Sequence, residues 1–143
     1  MSELKKYCTF TVGEYCFGVD ATSVREVLRY QNLTSVPRSH SAIGGLINLR
    51  GEIITAIQLK SILGIPTDED CSQFMNLVVS TQHGPVSLLI NEIGEVVEVS
   101  DEQFEASPGT VDSTASKMLN GAYKLKDRLV LILDIGAVTE LAI

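Results

Sequence analysis

Apolar and polar residues alternate along this chain in short runs rich in β-branched side chains, separated by turn residues about every ten positions. That pattern predicts strands at Tyr7–Val12, Tyr15–Val19 and Val24–Tyr30, the third preceded by a helical turn at Ala21–Val24. Leu46–Leu49 and Ile53–Ile57 pair across Arg50-Gly51-Glu52. Phe74–Ser80 and Val86–Ile90 pair across the turn at 82–85. Glu95–Val99 extends a sheet, and Leu119–Lys124 pairs with Arg128–Leu133 around Lys126-Asp127.

Helices are few. Gln58–Leu63 stops at Gly64 and Pro66. Ser100-Asp101-Glu102-Gln103 has the form of a capping box, and Asp134 can cap a last helix through Leu141. About ten strands with small helices imply an all-β protein of two small barrels, because closing a sheet removes its exposed edges. The polar, acidic segment Ile65–Ser72 is the expected boundary. It divides a first lobe, about 1–65 with the C-terminal helix 135–143, from a second lobe, about 66–134. No repeat between the halves is evident in the sequence. Asn32–Gly45 and Ala106–Lys117 are the long loops, the latter expected to be mobile.

With Gly13-Glu14 as a two-residue turn, Cys8, Phe10, Val12, Tyr15, Phe17 and Val19 share one face, the core. Thr9, Thr11, Cys16 and Gly18 fall on the other. Cys8 and Cys16 then point to opposite sides and cannot form a disulfide. Three cysteines in no metal-binding spacing read as reduced thiols. The 45% apolar content suits a packed interior, and no run reaches the ~20 apolar residues of a membrane span. Met1–Lys6 lacks a signal peptide's apolar stretch, so the expectation is a soluble, cytoplasmic protein without direct membrane insertion.

Charge changes the picture of partners. Residues 1–60 carry seven Lys/Arg and five Asp/Glu, whereas residues 61–116 carry ten Asp/Glu and no base. So acidic a middle argues against nucleic acid or anionic lipid. It reads equally as a solubilising surface or as a field that steers a partner.

No catalytic set emerges. His40 and His83 sit in turns, and a Cys71–His83 nucleophile lacks an orienting carboxylate. Glu92, Glu95 and Glu98 fall on a strand, where alternation sends Glu95 away from the other two. There is no phosphate-binding glycine motif and no metal constellation, so no cofactor is expected. The reading is a binding module, not an enzyme.

Binding points to the stretch VPRSHSAIGGLINLRGEIITAIQL (36–59). Arg50, held before Gly51 on a hairpin, can form a bidentate ion pair with a partner carboxylate, or serve as an ordinary turn arginine. Val24-Arg25-Glu26-Val27-Leu28 has apolar residues on both faces, as a strand buried on both sides or one touching a partner.

These segments resemble the CheW domain in order and spacing: FGVDATSVREVL, VPRSHSAIGGLINLRGEIITAIQLKSILGI, VSLLINEIGEVVEV and LNGAYKLKDRLVLILDIGAV. The likeness runs from about Lys6 to Val138 and is most specific at Gly45–Gly51. It implies two five-stranded SH3-like barrels in a single domain spanning 1–143. It also implies a stand-alone scaffold that couples the regulatory domain of a CheA-type histidine kinase to the cytoplasmic tip of methyl-accepting chemoreceptors, recruited to membrane-associated receptor arrays. By that resemblance Arg50, Glu26, Gly45, Asn48, Leu49 and Gly51 meet receptor or kinase. Val24, Val27 and Leu28, with Ile90, Ile93 and Val97, line a groove between the lobes. Two positions depart from the family's usual aspartates: Gln58 and Asn91. They suggest a divergent member, serving a flagellar, pilus-linked or other chemosensory pathway. The competing class is a small β-barrel hydrolase or ligand-binding protein using Cys71 and His83.

Overall fold

The computed structural model describes residues 4–29, 34, 43–65, 74–105 and 117–142. Among the described residues there are eleven strands: β1 (Lys5–Val12), β2 (Tyr15–Asp20), β3 (Val24–Leu28), β4 (Ile43–Leu49), β5 (Glu52–Gln58), β6 (Met75–Thr81), β7 (Gly84–Ile90), β8 (Glu92–Val99), β9 (Phe104–Glu105), β10 (Leu119–Lys124) and β11 (Leu129–Leu133). Two helices, α1 (Leu59–Leu63) and α2 (Ile135–Ala142), follow β5 and β11. The all-β expectation holds. The two-residue β9 is an addition, too short to leave an alternation signal.

Local chemistry explains the joints. The Asp20 carboxylate accepts from Thr22 N–H at 2.9 Å and starts a 3₁₀ turn at Ala21–Ser23. The capping box at Ser100 and Gln103 forms. Asp134 caps α2 through Ala137 N–H at 3.1 Å. Gln58 occupies the same place before α1 but makes no side-chain cap bond, and α1 ends at Gly64 with φ 69°. The departure at Gln58 therefore costs α1 a cap. Asn91 loses nothing comparable, since its amide oxygen accepts from Gly13 N–H at 2.7 Å.

The strands form two sheets, ordered β8-β1-β2-β11-β10-β9 and β3-β6-β7-β5-β4. Both follow one pairing scheme. An edge strand pairs antiparallel with a hairpin, the hairpin's second strand runs parallel to a fourth, and that one pairs antiparallel with a fifth. Thus β3 corresponds to β8, β6 to β1, β7 to β2, β5 to β11 and β4 to β10. Even the breaks match: a bulge lies between Ile43 and Gly45 on β4 and between Leu119 and Gly121 on β10. The halves repeat in topology, although their sequences had hidden it. Each sheet takes its central hairpin from the opposite half of the chain, so residues 1–65 and 66–134 contribute to both sheets.

Each sheet buries both faces. The hairpin register is the expected one, with Val12 opposite Tyr15 and Cys8 opposite Val19. Phe10, Phe17, Leu77, Leu88, Ile90 and Leu131 meet in a central cluster between the sheets. Burial of each contributes roughly 1.5–3 kcal/mol. On the reverse faces, Val99, Tyr123, Val130 and Ile132 fill the interior of the six-stranded sheet, with Tyr7, Cys16 and Val97 against them. Ile47, Ile54 and Val78 do so in the five-stranded one, with Leu28 and Leu49. A strand with two buried faces explains why Thr9 and Gly18, on the second face, are buried as well. Cys8 and Cys16 lie on opposite faces as free thiols.

Candidate interaction surface

The β4–β5 hairpin turns through two residues, Arg50 (φ 52°) and Gly51 (φ 88°), both left-handed. Arg50 is the one non-glycine residue with positive φ among those described, and it stays there because its neighbours hold it. The Asn48 side-chain oxygen accepts from Gly51 N–H at 3.0 Å. The Arg50 guanidinium pairs with the Glu26 carboxylate on β3. Arg25 reaches Glu52 in parallel at 3.9 Å. Since β3 and β4 are the two ends of the five-stranded sheet, these pairs draw its ends together. Thr34 adds a bridge to Leu46, with N–H···O distances of 2.8 and 2.9 Å. Arg50 is thus a clasp within the sheet, with 70% of its side chain still exposed. Leu49 packs on the interior cluster, and Gly45 is buried in its bulge. Ile53, opposite Asn48, is 62% exposed and adds an apolar surface beside the clasp.

The residues expected to line a groove are divided by the sheets. Val24 and Ile93 are half-buried against the central cluster, and Val27 is exposed. Ile90 is fully buried in that cluster and has no surface to offer. Leu28 and Val97 turn into the two sheet interiors. The residue that simple alternation misses is Val96, 56% exposed. It stands opposite Cys8, on the face toward the central cluster. The edge strands β3 and β8 each contain a bulge, which explains the division. Val24 opposes Val79 while Val27 opposes Leu77, and Ile93 opposes Phe10 while Val96 opposes Cys8. In each case three steps along the edge strand match two along its partner. Residues three apart, which a regular strand would send to opposite faces, share one.

A second clasp mirrors the first. Glu95 on β8 pairs with Arg128, at the start of the β11 arm, at 3.1 Å, as Glu26 on the equivalent β3 pairs with Arg50. Glu98 pairs across to Lys6 at 3.7 Å. The carboxylates are therefore partnered along a strand and do not converge. Burial raises both thiols, Cys8 and Cys16, above their ordinary range. Tyr7 is raised further, by burial and by its hydrogen bond with Tyr123. These groups are held neutral. His83 lies in the β6–β7 turn, its N–H bonded to Thr81 Oγ1 at 3.0 Å. His40 and Cys71 lie outside the described residues. Among the described residues, no group of three or more His, Cys, Asp or Glu side chains could hold a metal ion, and no helix is long and apolar enough to cross a membrane.

The fold and surface define a class: two β-sheets closed by ion pairs, sharing one core, with exposed apolar residues on their edge strands. The chain belongs to the CheW-like domain family, whose description matches residues 6–142. It is 30% identical over 132 residues to the chemotaxis protein CheW of Thermotoga maritima, covering 92% of this chain and 85% of that one. It is 26% identical over 136 residues to CheW of Bacillus subtilis, covering 95% and 87%. The crystal structure of the scaffolding protein TtCheW from Thermoanaerobacter tengcongensis superposes with a TM-score of 0.82 at 27% identity, covering 92% of this chain and 90% of that one.

Proposed function

We propose that this chain is a non-catalytic scaffold of bacterial chemosensory signalling. It couples the regulatory domain of a CheA-type histidine kinase to the cytoplasmic tip of methyl-accepting chemoreceptors, and is recruited to receptor arrays in the cytoplasm. The observation that carries this reading is the pair of bulged edge strands beside one core. They offer Val24 and Val27 on β3, and Ile93 and Val96 on β8, as apolar rims suited to an amphipathic helix. Membership in the CheW-like family supplies the partner classes. Arg50, Glu26, Asn48 and Gly51 form the polar part of the surface, while Gly45 and Leu49 support it from within.

Co-purification with a CheA-type kinase and a receptor-tip fragment tests the proposal. Wild-type protein should retain both, and Val27→Glu should lose the receptor tip while keeping its fold. Failure of the wild-type protein to bind either partner would remove the coupling role.

A further inference from the structure

The bulge on β8 rests on an unusual local contact. Between the pairs Ile93–Phe10 and Val96–Cys8, Gly94 and Glu95 stand opposite Thr9 alone. The Thr9 hydroxyl donates to the Glu95 carbonyl at 2.6 Å, and Thr9 is itself buried. A Cβ at Gly94 would stand 2.5 Å from Thr9 Oγ1 and 3.3 Å from its carbonyl oxygen. The extra residue is therefore held by a donor on β1 and needs a bare backbone at 94. Its effect reaches the surface, because one residue of slip exchanges the faces of all that follows. With the bulge, Val96 joins Ile93 toward the central cluster and Val97 turns into the sheet interior.

We propose that Thr9 and Gly94 are positioning residues of the receptor-binding surface, and that Val96 is the β8 residue they deliver to it. This rests on the coupling reading above and names the part of that surface contributed by β8. The occupant is the amphipathic receptor-tip helix of that reading, whose apolar stripe meets Ile93 and Val96 on β8 as it meets Val24 and Val27 on β3. Of the exposed glutamates of β8, Glu98 shares the face of Val96 and is already paired with Lys6, and Glu95 is paired with Arg128, so the contribution of β8 to the contact is apolar. The corresponding strand β3 uses the same device without a threonine: Arg25 is the extra residue, held by Glu52.

The test measures binding of the full chain to a receptor-tip helical hairpin and, separately, to a kinase regulatory domain, with nuclear Overhauser contacts reporting the Cys8–Val96 pairing. Thr9→Val should lose that pairing and bind the tip about tenfold more weakly, the scale of one buried hydrogen bond. Its kinase affinity should stay near that of the wild type. Thr9→Ser, which keeps the hydroxyl, should bind as wild type. Val96→Glu alters only an exposed position and should also weaken tip binding selectively, which keeps the test open if Thr9→Val does not fold. The inference is overturned if Thr9→Val retains the pairing, if it weakens both partners equally, or if Val96→Glu binds the tip normally. A wild-type protein that ignores the tip would instead sink the coupling reading, and this inference with it.

Discussion

Glu26 on β3 and Arg50 in the β4–β5 turn form an ion pair between the two ends of one sheet. Arg50 is therefore fixed before any partner arrives, in a left-handed conformation that a non-glycine residue adopts at a cost of roughly 1–2 kcal/mol. Because the arginine is largely exposed and screened by solvent, the pair contributes little to stability, about 0.2–1 kcal/mol. Arg50→Glu should leave the melting temperature within a few degrees while weakening partner capture. The charge-exchanged double variant Glu26→Arg/Arg50→Glu should recover the melt but not the full affinity. Calorimetry and binding measured on the same samples separate the two effects.

Because each sheet is completed by a hairpin from the other half, the two halves should fold only together. Residues 1–65 and 66–143, produced separately, should each lack a cooperative thermal transition, and mixing them should restore one. A cooperative melt of either fragment alone would show independent lobes. Circular dichroism suffices for this.

Asp134 caps α2, while Gln58, at the matching position, leaves α1 without a side-chain cap. Asp134→Ala should cost about 1 kcal/mol of unfolding free energy. Asn91→Asp should be nearly neutral, since a carboxylate oxygen can accept from Gly13 N–H as the amide oxygen does. Urea titrations of both variants check this.

Leu88 is fully buried in the cluster between the sheets. Leu88→Ala should destabilise the protein by about 2–5 kcal/mol through lost burial and a residual cavity. The same denaturant titration measures it.

Cys8, Cys16 and Tyr7 all have folded-state pKa values raised above their unfolded ones, so the fold favours their protonated forms. Their contribution is complete below the unfolded thiol pKa of about 8.5 and declines as pH rises above it, because the unfolded chain releases protons first. Stability should be flat near neutrality and fall from about pH 8.5 upward. Alkylation of Cys8 and Cys16 in the native protein, read site by site, should be slow at pH 8 and fast in urea.

The strands, the hairpin turn at Gly13-Glu14 and the Ser100 and Asp134 caps were legible in the sequence. Each depends on neighbours a few residues away, and a two-residue period survives any tertiary arrangement. Arg50 and Glu26 were legible only as separate candidates, 24 positions apart, because nothing local records that β3 and β4 are ends of one curled sheet. On β8, Val97 was expected at the surface and Val96 holds that place. A bulge is invisible to a period of two, and its cause is a hydroxyl on Thr9, 85 residues before Gly94.

The amino-acid pattern by itself determined an all-β chain with few, short helices, the last of them capped by Asp134. Family-specific residues at Gly45–Gly51 identified the kind of surface to look for. Only the tertiary structure decided which hairpin completes which sheet, and which face of each edge strand meets solvent. Those choices rest on pairing across the whole chain, where burial of both faces of each sheet outweighs any preference a short segment carries alone.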